Sequence, residues 1–374
     1  LILDESGEQH LVNRNNGLEN DNIHSLIADY EGNIWLGTDI GVVKLGSHDA
    51  VIFDHRAELP SPWAWSILET RDGAIWITTD HGLTIYRDGG FTPQPLPQLP
   101  PEAGINPAIE ARDGTIWLGT DSSGLLRLGT DGHRLFGSAD GLPYESITAL
   151  CEDHRGRIWA GTVFGGVRIE GDEVLDLADE GLGEEYVSQF VEGPEGRIWA
   201  VTDQGVYVHD GLSFTCVVTT EQLNFMDPIC LLFTSSGQQL IGTNGMGVVL
   251  LEDGGIGYPE HLPSTLKSAI VWALDEDPEG RLWIGTNQGP WLNQGDRFRN
   301  IFVEIGLPAA EISSPLAIHP DSQGNVWFGC DRGVIRVDRS ALKVGSKIRH
   351  PRLRITGIRV NGRETPTANE IVLD

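Results

Sequence analysis

The chain is short of positive charge: 26 Lys and Arg stand against 54 Asp and Glu among 374 residues, a formal net charge of −28. A surface of that sign repels phosphate backbones and anionic lipid, so nucleic acid and direct membrane contact are poor candidates for partners. Cations and neutral ligands stay open, and the acidity also serves solubility. Cysteine is scarce. Cys151, Cys216, Cys230 and Cys330 lie far apart with no C-x-x-C pair, which argues against a zinc site or a dithiol redox motif. They read as small core hydrophobes, although an even number leaves disulfides open in an oxidising compartment. No apolar run approaches the roughly 20 residues that span a bilayer. The opening LILDESGEQH lacks the charged start and apolar centre of a signal peptide. Because it begins with Leu and in mid-pattern, the chain is expected to be a fragment of something longer. No helical 3.6-residue periodicity stands out, and no His–carboxylate or Ser–His pair recurs, so no catalytic residue, metal ligand or cofactor is expected.

What is present is repetition. The string EGNIWLGTD (31–39) returns as DGAIWITTD, DGTIWLGTD, RGRIWAGTV and EGRIWAVTD. Aligned on Trp35, equivalent positions fall at Trp76, Trp117, Trp159, Trp199, Leu240, Trp283 and Trp327, eight copies spaced 40 to 44 residues apart. Three residues earlier every copy has glycine, from Gly32 to Gly324, closing a polar stretch between two apolar runs as a hairpin turn requires. Three residues later every copy has Thr except at Cys330, and β-branched residues suit strands. A second glycine precedes a third apolar run, and a weaker fourth run follows in several copies, such as AVIF at 50–53.

Four short strands recurring at this period predict an all-β fold, a β-propeller of four-stranded antiparallel blades. The repeated Trp then packs between blades, and the Asp or Asn after the Thr serves turn chemistry. Eight blades are expected, with residues 1–345 as the propeller and an N-terminal strand completing the final blade; the alternative is seven plus an extra blade from a neighbouring propeller. Leu240 in place of Trp, Val201 in place of Gly and Pro290 at a strand start weaken single blades only.

The unit GLENDNIHSLIADYEGNIWLGTDIGVVKL (17–45), echoed by GLPYESITALCEDHRGRIWAGTVFGGVRI (141–169), resembles the two-component regulator propeller repeat of bacterial sensor proteins. The segment PRLRITGIRVNGRETPTANEIVLD (351–374) resembles the opening strands of the triple-tyrosine domain that follows such propellers, which makes 346–374 the truncated start of a β-sandwich. The resemblance implies the periplasmic sensing part of an inner-membrane receptor, homodimeric at full length, with a histidine kinase or diguanylate cyclase output beyond these residues. It also implies binding rather than catalysis, with carbohydrate ligands the commonest in the family.

If the repeats are scaffold, function sits where they differ. Positions thirteen and eleven residues before the reference alternate onto one face near the start of each first strand, the innermost strand of a blade. They read Asn22, Trp63, Gly104, Ser146, Tyr186, Asp227, Ile270 and Ser314, then His24, Trp65, Asn106, Thr148, Ser188, Ile229, Trp272 and Leu316. Of eleven Trp residues, four lie off the repeat position, and Trp63, Trp65 and Trp272 fall on this rim. Flat aromatics beside polar groups suit a small-molecule or oligosaccharide ligand, neutral in charge. The ligand-binding candidates are His24, Trp63, Trp65, Asn106, Tyr144, Glu145, Tyr186 and Trp272. The competing readings are rim aromatics that plug the channel, a propeller lyase or glycan-cleaving enzyme, and a protein-interaction scaffold.

Overall fold

The computed structural model describes residues 59–342 except 131, 253, 254, 306 and 308, together with segments 2–3, 9–10, 22–28, 34–39, 41–45, 50–53, 358–360 and 363–365. Each repeat folds for the reasons its glycines and threonines give. Gly114, at φ +87°, turns the first hairpin of its blade in a region that residues with a Cβ avoid. The repeated Thr does more than favour a strand. Buried Thr120 donates its hydroxyl to the Gly124 carbonyl at 2.8 Å and accepts from the Ser123 amide at 2.7 Å, stapling the second turn. Cys330 keeps the first of these bonds with its thiol, 3.3 Å from the Gly333 carbonyl.

Seven four-stranded antiparallel sheets make up a closed ring. Blade I holds Ala64–Glu69, Ile75–Thr79, Gly82–Arg87 and Gly90–Gln94. Blades II to VI begin with the inner strands Ile105–Glu110, Ile147–Glu152, Val187–Glu192, Pro228–Phe233 and Val271–Glu276. Blade VII holds Ile318–Pro320, Val326–Cys330 and Gly333–Val337.

The expectation of eight blades is corrected to seven. The run AVIF, Ala50–Phe53, leaves its own repeat and pairs with the third strand of blade VII, with Phe53 opposite Val334 and Ala50 opposite Val337. Blade VII then lies directly against blade I. The Ile67 amide donates to the Leu316 carbonyl at 3.0 Å, and the Ser313 and Ser314 hydroxyls donate to the Ala64 and Trp65 carbonyls. Trp327, 1% exposed, stacks on Phe53 at 5.8 Å and meets Tyr86 edge-on at 5.0 Å. The other strands of the first repeat, Ile23–Ala28, Ile34–Thr38 and Gly41–Leu45, form a three-stranded sheet of their own. There Leu26 is 65% exposed, whereas Ile67 and Leu231 at the equivalent position are 5% and 1% exposed. The N-terminal pair Ile2–Leu3 and Gln9–His10 is a separate two-stranded sheet and does not complete the final blade. Of the segment assigned to a triple-tyrosine domain, only the hairpin Ile358–Val360 with Arg363–Thr365 lies within the described residues.

A carboxylate seven residues before the reference position ties blade to blade. The amides of Arg71, Arg112, His154, Ser235 and Ser322 donate to Glu110, Glu152, Glu192, Glu276 and Glu69 of the next blade at 2.5 to 2.9 Å. The last of these closes the ring. In the first repeat this position is Ala28, which has no carboxylate to receive such a bond. The four cysteines are free thiols, and burial pushes Cys151, Cys230 and Cys330 up to about 12. Among the described residues no helix is long and apolar enough to cross a membrane, and no cluster of His, Cys, Asp or Glu could hold a metal ion.

Candidate functional site

The inner strands converge on one end of the central channel around a cavity of about 340 Å³. One position dominates its wall: the residue eleven before the reference in every ring blade, namely Trp65, Asn106, Thr148, Ser188, Ile229, Trp272 and Leu316, lines it. Tyr186, Asp227 and Ser314 join from two residues earlier. The alternation of a strand with period two explains this, since both positions of each inner strand face the channel.

The structure brings four of the sequence candidates together here: Trp65, Asn106, Tyr186 and Trp272. The other four lie elsewhere. His24 belongs to the three-stranded sheet outside the ring, bonded to Asp39. Trp63 is 37% exposed and stacks on Trp65 with centroids 5.8 Å apart, outside the residues that line the cavity. Tyr144 packs edge-on against Phe164 at 5.3 Å, and Glu145 accepts from the Ser138 amide and hydroxyl at 3.2 and 2.9 Å.

Several lining groups are committed to the scaffold. Thr148 donates to the Val187 carbonyl at 2.6 Å, Ser188 to the Val201 carbonyl at 3.2 Å, and Gln189 accepts from the Leu231 amide at 2.6 Å. Trp272 is oriented by its indole N–H, which donates to Glu311 at 2.8 Å, and by packing against the buried cluster that includes Ala273 and Ile312. In contrast, the side chains of Asn106, Asp227 and Asn244 line the cavity with no partner among the described residues.

Sequence reasoning missed Asp203 and Asn244, four residues after the reference position, which also line the cavity. Turn chemistry by itself predicts a side chain bonded to its own backbone. In fact the Asp203 carboxylate accepts from the Tyr186 amide at 3.1 Å, pinning the entry of the inner strand, and Asp331 holds Glu311 in the same way at 3.1 Å. Burial, and then the Asp203 charge, pushes the Tyr186 phenol above its ordinary range. The signal was available: the same Asp or Asn recurs in seven of the eight repeats, and in the structure it opens the short turn between the second and third strands, within reach of the inner strand's entry.

Four segments, residues 17–39, 58–81, 141–164 and 265–288, match the family model described as two component regulator propeller. No curated protein matches the chain. Among solved structures, the extracellular domain of a hybrid two component system from B. thetaiotaomicron is similar with a TM-score of 0.72 at 20% identity, over 94% of this chain and 51% of that one. A second extracellular domain from B. thetaiotaomicron, of a one component system, gives 0.62 at 17% identity over 87% and 46%. Virginiamycin B lyase from Staphylococcus aureus gives 0.57 at 16% identity over 74% and 94%. The chain thus spans about half the length of the two extracellular domains. It carries two-component regulator propeller repeats, three of the matched segments in blades I, III and VI of a seven-bladed ring and the fourth in the sheet beside it.

Proposed function

We propose that this chain is the ligand-sensing part of a bacterial signal-transduction receptor, placed outside the cytoplasm, and that it binds a carbohydrate or other small neutral ligand at the channel mouth. One observation carries the reading: a single cavity of about 340 Å³ collects Trp65, Tyr186 and Trp272 with the unpartnered amides of Asn106 and Asn244. Aromatic faces stack on the apolar face of a sugar ring, and free amides satisfy its hydroxyls. The sensor role and the homodimeric, inner-membrane receptor belong to the family of the repeat and are extended to this chain as part of the proposal. So are a kinase or cyclase output and a triple-tyrosine domain.

The lyase likeness gives an enzymatic reading some standing. A histidine-to-alanine variant of virginiamycin B lyase is catalytically inactive, whereas among the described residues no histidine lines the cavity here. Without a proton donor or acceptor of that kind at the wall, binding is the better supported reading. The test is calorimetric titration with a panel of neutral oligosaccharides, followed by chromatography of the incubated sugar. Binding without products is expected, and Trp272→Ala should weaken it by about tenfold or more, the loss of one stacked aromatic face. Turnover, or no binding across the panel, would overturn the reading.

A further inference from the structure

The charge at the channel mouth is one-sided. Among the described residues, the cavity wall contains no Lys, Arg or His but two carboxylates, Asp203 and Asp227. Asp203 is fixed by the Tyr186 amide at 3.1 Å, so its charge stays at the wall beside the Tyr186 ring. Asp227 has no protein partner, so nothing among the described residues neutralises it. Three aromatic rings, Trp65, Tyr186 and Trp272, share the same space. An indole face presents negative quadrupole potential, and Trp272, held by its N–H bond to Glu311 and packed in part against the buried cluster that includes Ala273 and Ile312, lines the cavity with the remainder of its ring. The whole chain adds a background of −28.

Resting on the binding function proposed above, but departing from the neutral ligand named there, we infer that the mouth selects ligands carrying a protonated amine, an amino sugar or a small organic ammonium, over neutral and acidic analogues. The ammonium sits against the Trp272 and Trp65 faces with Asp227 as its counter-ion, while Asn106 and Asn244 take the hydroxyls. Each feature has a distinct job. The rings attract a cation without demanding one direction of approach. The exposed carboxylate supplies a salt-dependent Coulomb attraction. An acidic sugar would bring like charge against two carboxylates with no basic residue to receive it.

The test is titration of the purified chain with four matched probes: a β-1,4-linked glucosamine disaccharide, its N-acetylated form, the neutral glucose disaccharide and a glucuronate-containing disaccharide. Tetraethylammonium serves as a sugar-free fifth probe. The glucosamine disaccharide should bind about tenfold tighter than the N-acetylated and neutral forms at low salt, with the glucuronate weakest. That advantage should shrink to about threefold or less in 0.5 M salt and in Asp227→Asn, a change that breaks no hydrogen bond of the protein. Equal affinity for the amine and neutral sugars, or tightest binding of the glucuronate, overturns the cation preference and leaves the sugar-binding function intact. Binding of tetraethylammonium alone, weakened in Trp272→Ala, keeps the cation preference and overturns the carbohydrate reading. Silence from all five probes overturns both.

Discussion

The repeated Trp is the residue on which each interface turns, and its surroundings explain why the copies are not equal. In three blades an Asp six residues earlier accepts the indole N–H: Asp153 for Trp159, Asp277 for Trp283 and Asp321 for Trp327, each at 2.9 Å. Arg157 and Arg281 complete the carboxylate in two of them at 2.6 Å. Before Trp199 the same place is Gly193, and the Trp199 N–H is left buried without a partner. A Cβ there would come within 2.7 Å of the Phe233 ring, so the glycine makes room for the next blade. Trp159→Ala should therefore cost about 3–5 kcal/mol, because it opens a cavity and removes one of the donors to buried Asp153. Trp63→Ala, at 37% exposure, should cost less than about 1 kcal/mol in urea unfolding. A second residue-scale prediction concerns Asp275. Four other ring blades place Leu68, Ile109, Val191 and Leu232 at its position, and burial raises its carboxyl to about 7. The folded state then holds a proton that the unfolded chain releases near pH 4, so stability from this group is full below that pH and falls as pH rises toward and past 7. The upper bound is about 4 kcal/mol. Asp275→Asn should flatten the trend in thermal melts between pH 5 and 8. Burial lowers His319, which acts in the opposite sense as pH falls through the ordinary histidine range. For that reason the difference between variant and parent is the quantity to compare.

At the scale of elements, the inter-blade carboxylates and the returning strand decide the ring. Glu69→Ala removes the acceptor for both the Ser322 amide and hydroxyl, at 2.7 and 2.6 Å, on the seam between blade VII and blade I. A loss of about 1–3 kcal/mol is expected by thermal unfolding, as for a charge-assisted bond pair. The Ala50–Phe53 strand gives a sharper test. A chain starting at residue 46 keeps the fourth strand of blade VII and should unfold at the same temperature as the parent. A chain starting at residue 59 exposes the Trp327 ring that Phe53 covers and leaves the Gly333–Val337 edge unpaired. Its midpoint should drop by several degrees, on the order of 2–4 °C per kcal/mol for a domain of this size. Equal midpoints for the two shortened chains would place the closure elsewhere.

At the scale of the whole molecule, the site exists only because the ring closes. Trp65 and Trp272 are 207 residues apart in sequence yet share one wall. The rim positions were legible because strand alternation and a fixed repeat period turn sequence offsets into directions, which is why all seven ring residues at the eleven-back position reach the cavity. His24 obeyed the same offset and failed, because its repeat lies outside the ring. Tyr144 and Glu145 failed for a different reason: loop residues obey no period, and a local partner, Phe164 or Ser138, takes each of them.

The sequence by itself determined the blade. Hairpin glycine, stapling Thr and interface Trp are local or nearest-neighbour features, set by backbone sterics and by apolar burial between adjacent copies. The number of blades was a decision of the tertiary structure. Eight similar repeats fit seven places, and the choice rests on which edges and faces meet: Ala50–Phe53 on the open edge of blade VII, Glu69 on Ser322, and Ser313 and Ser314 on the backbone of blade I. Ala28 stands where Glu69, Glu110, Glu152, Glu192 and Glu276 stand in other repeats, but Phe233 and Pro320 of the ring lack the carboxylate too, so this position alone does not mark the repeat left out. Its meaning depends on a contact between residues some 250 positions apart, which no local pattern encodes.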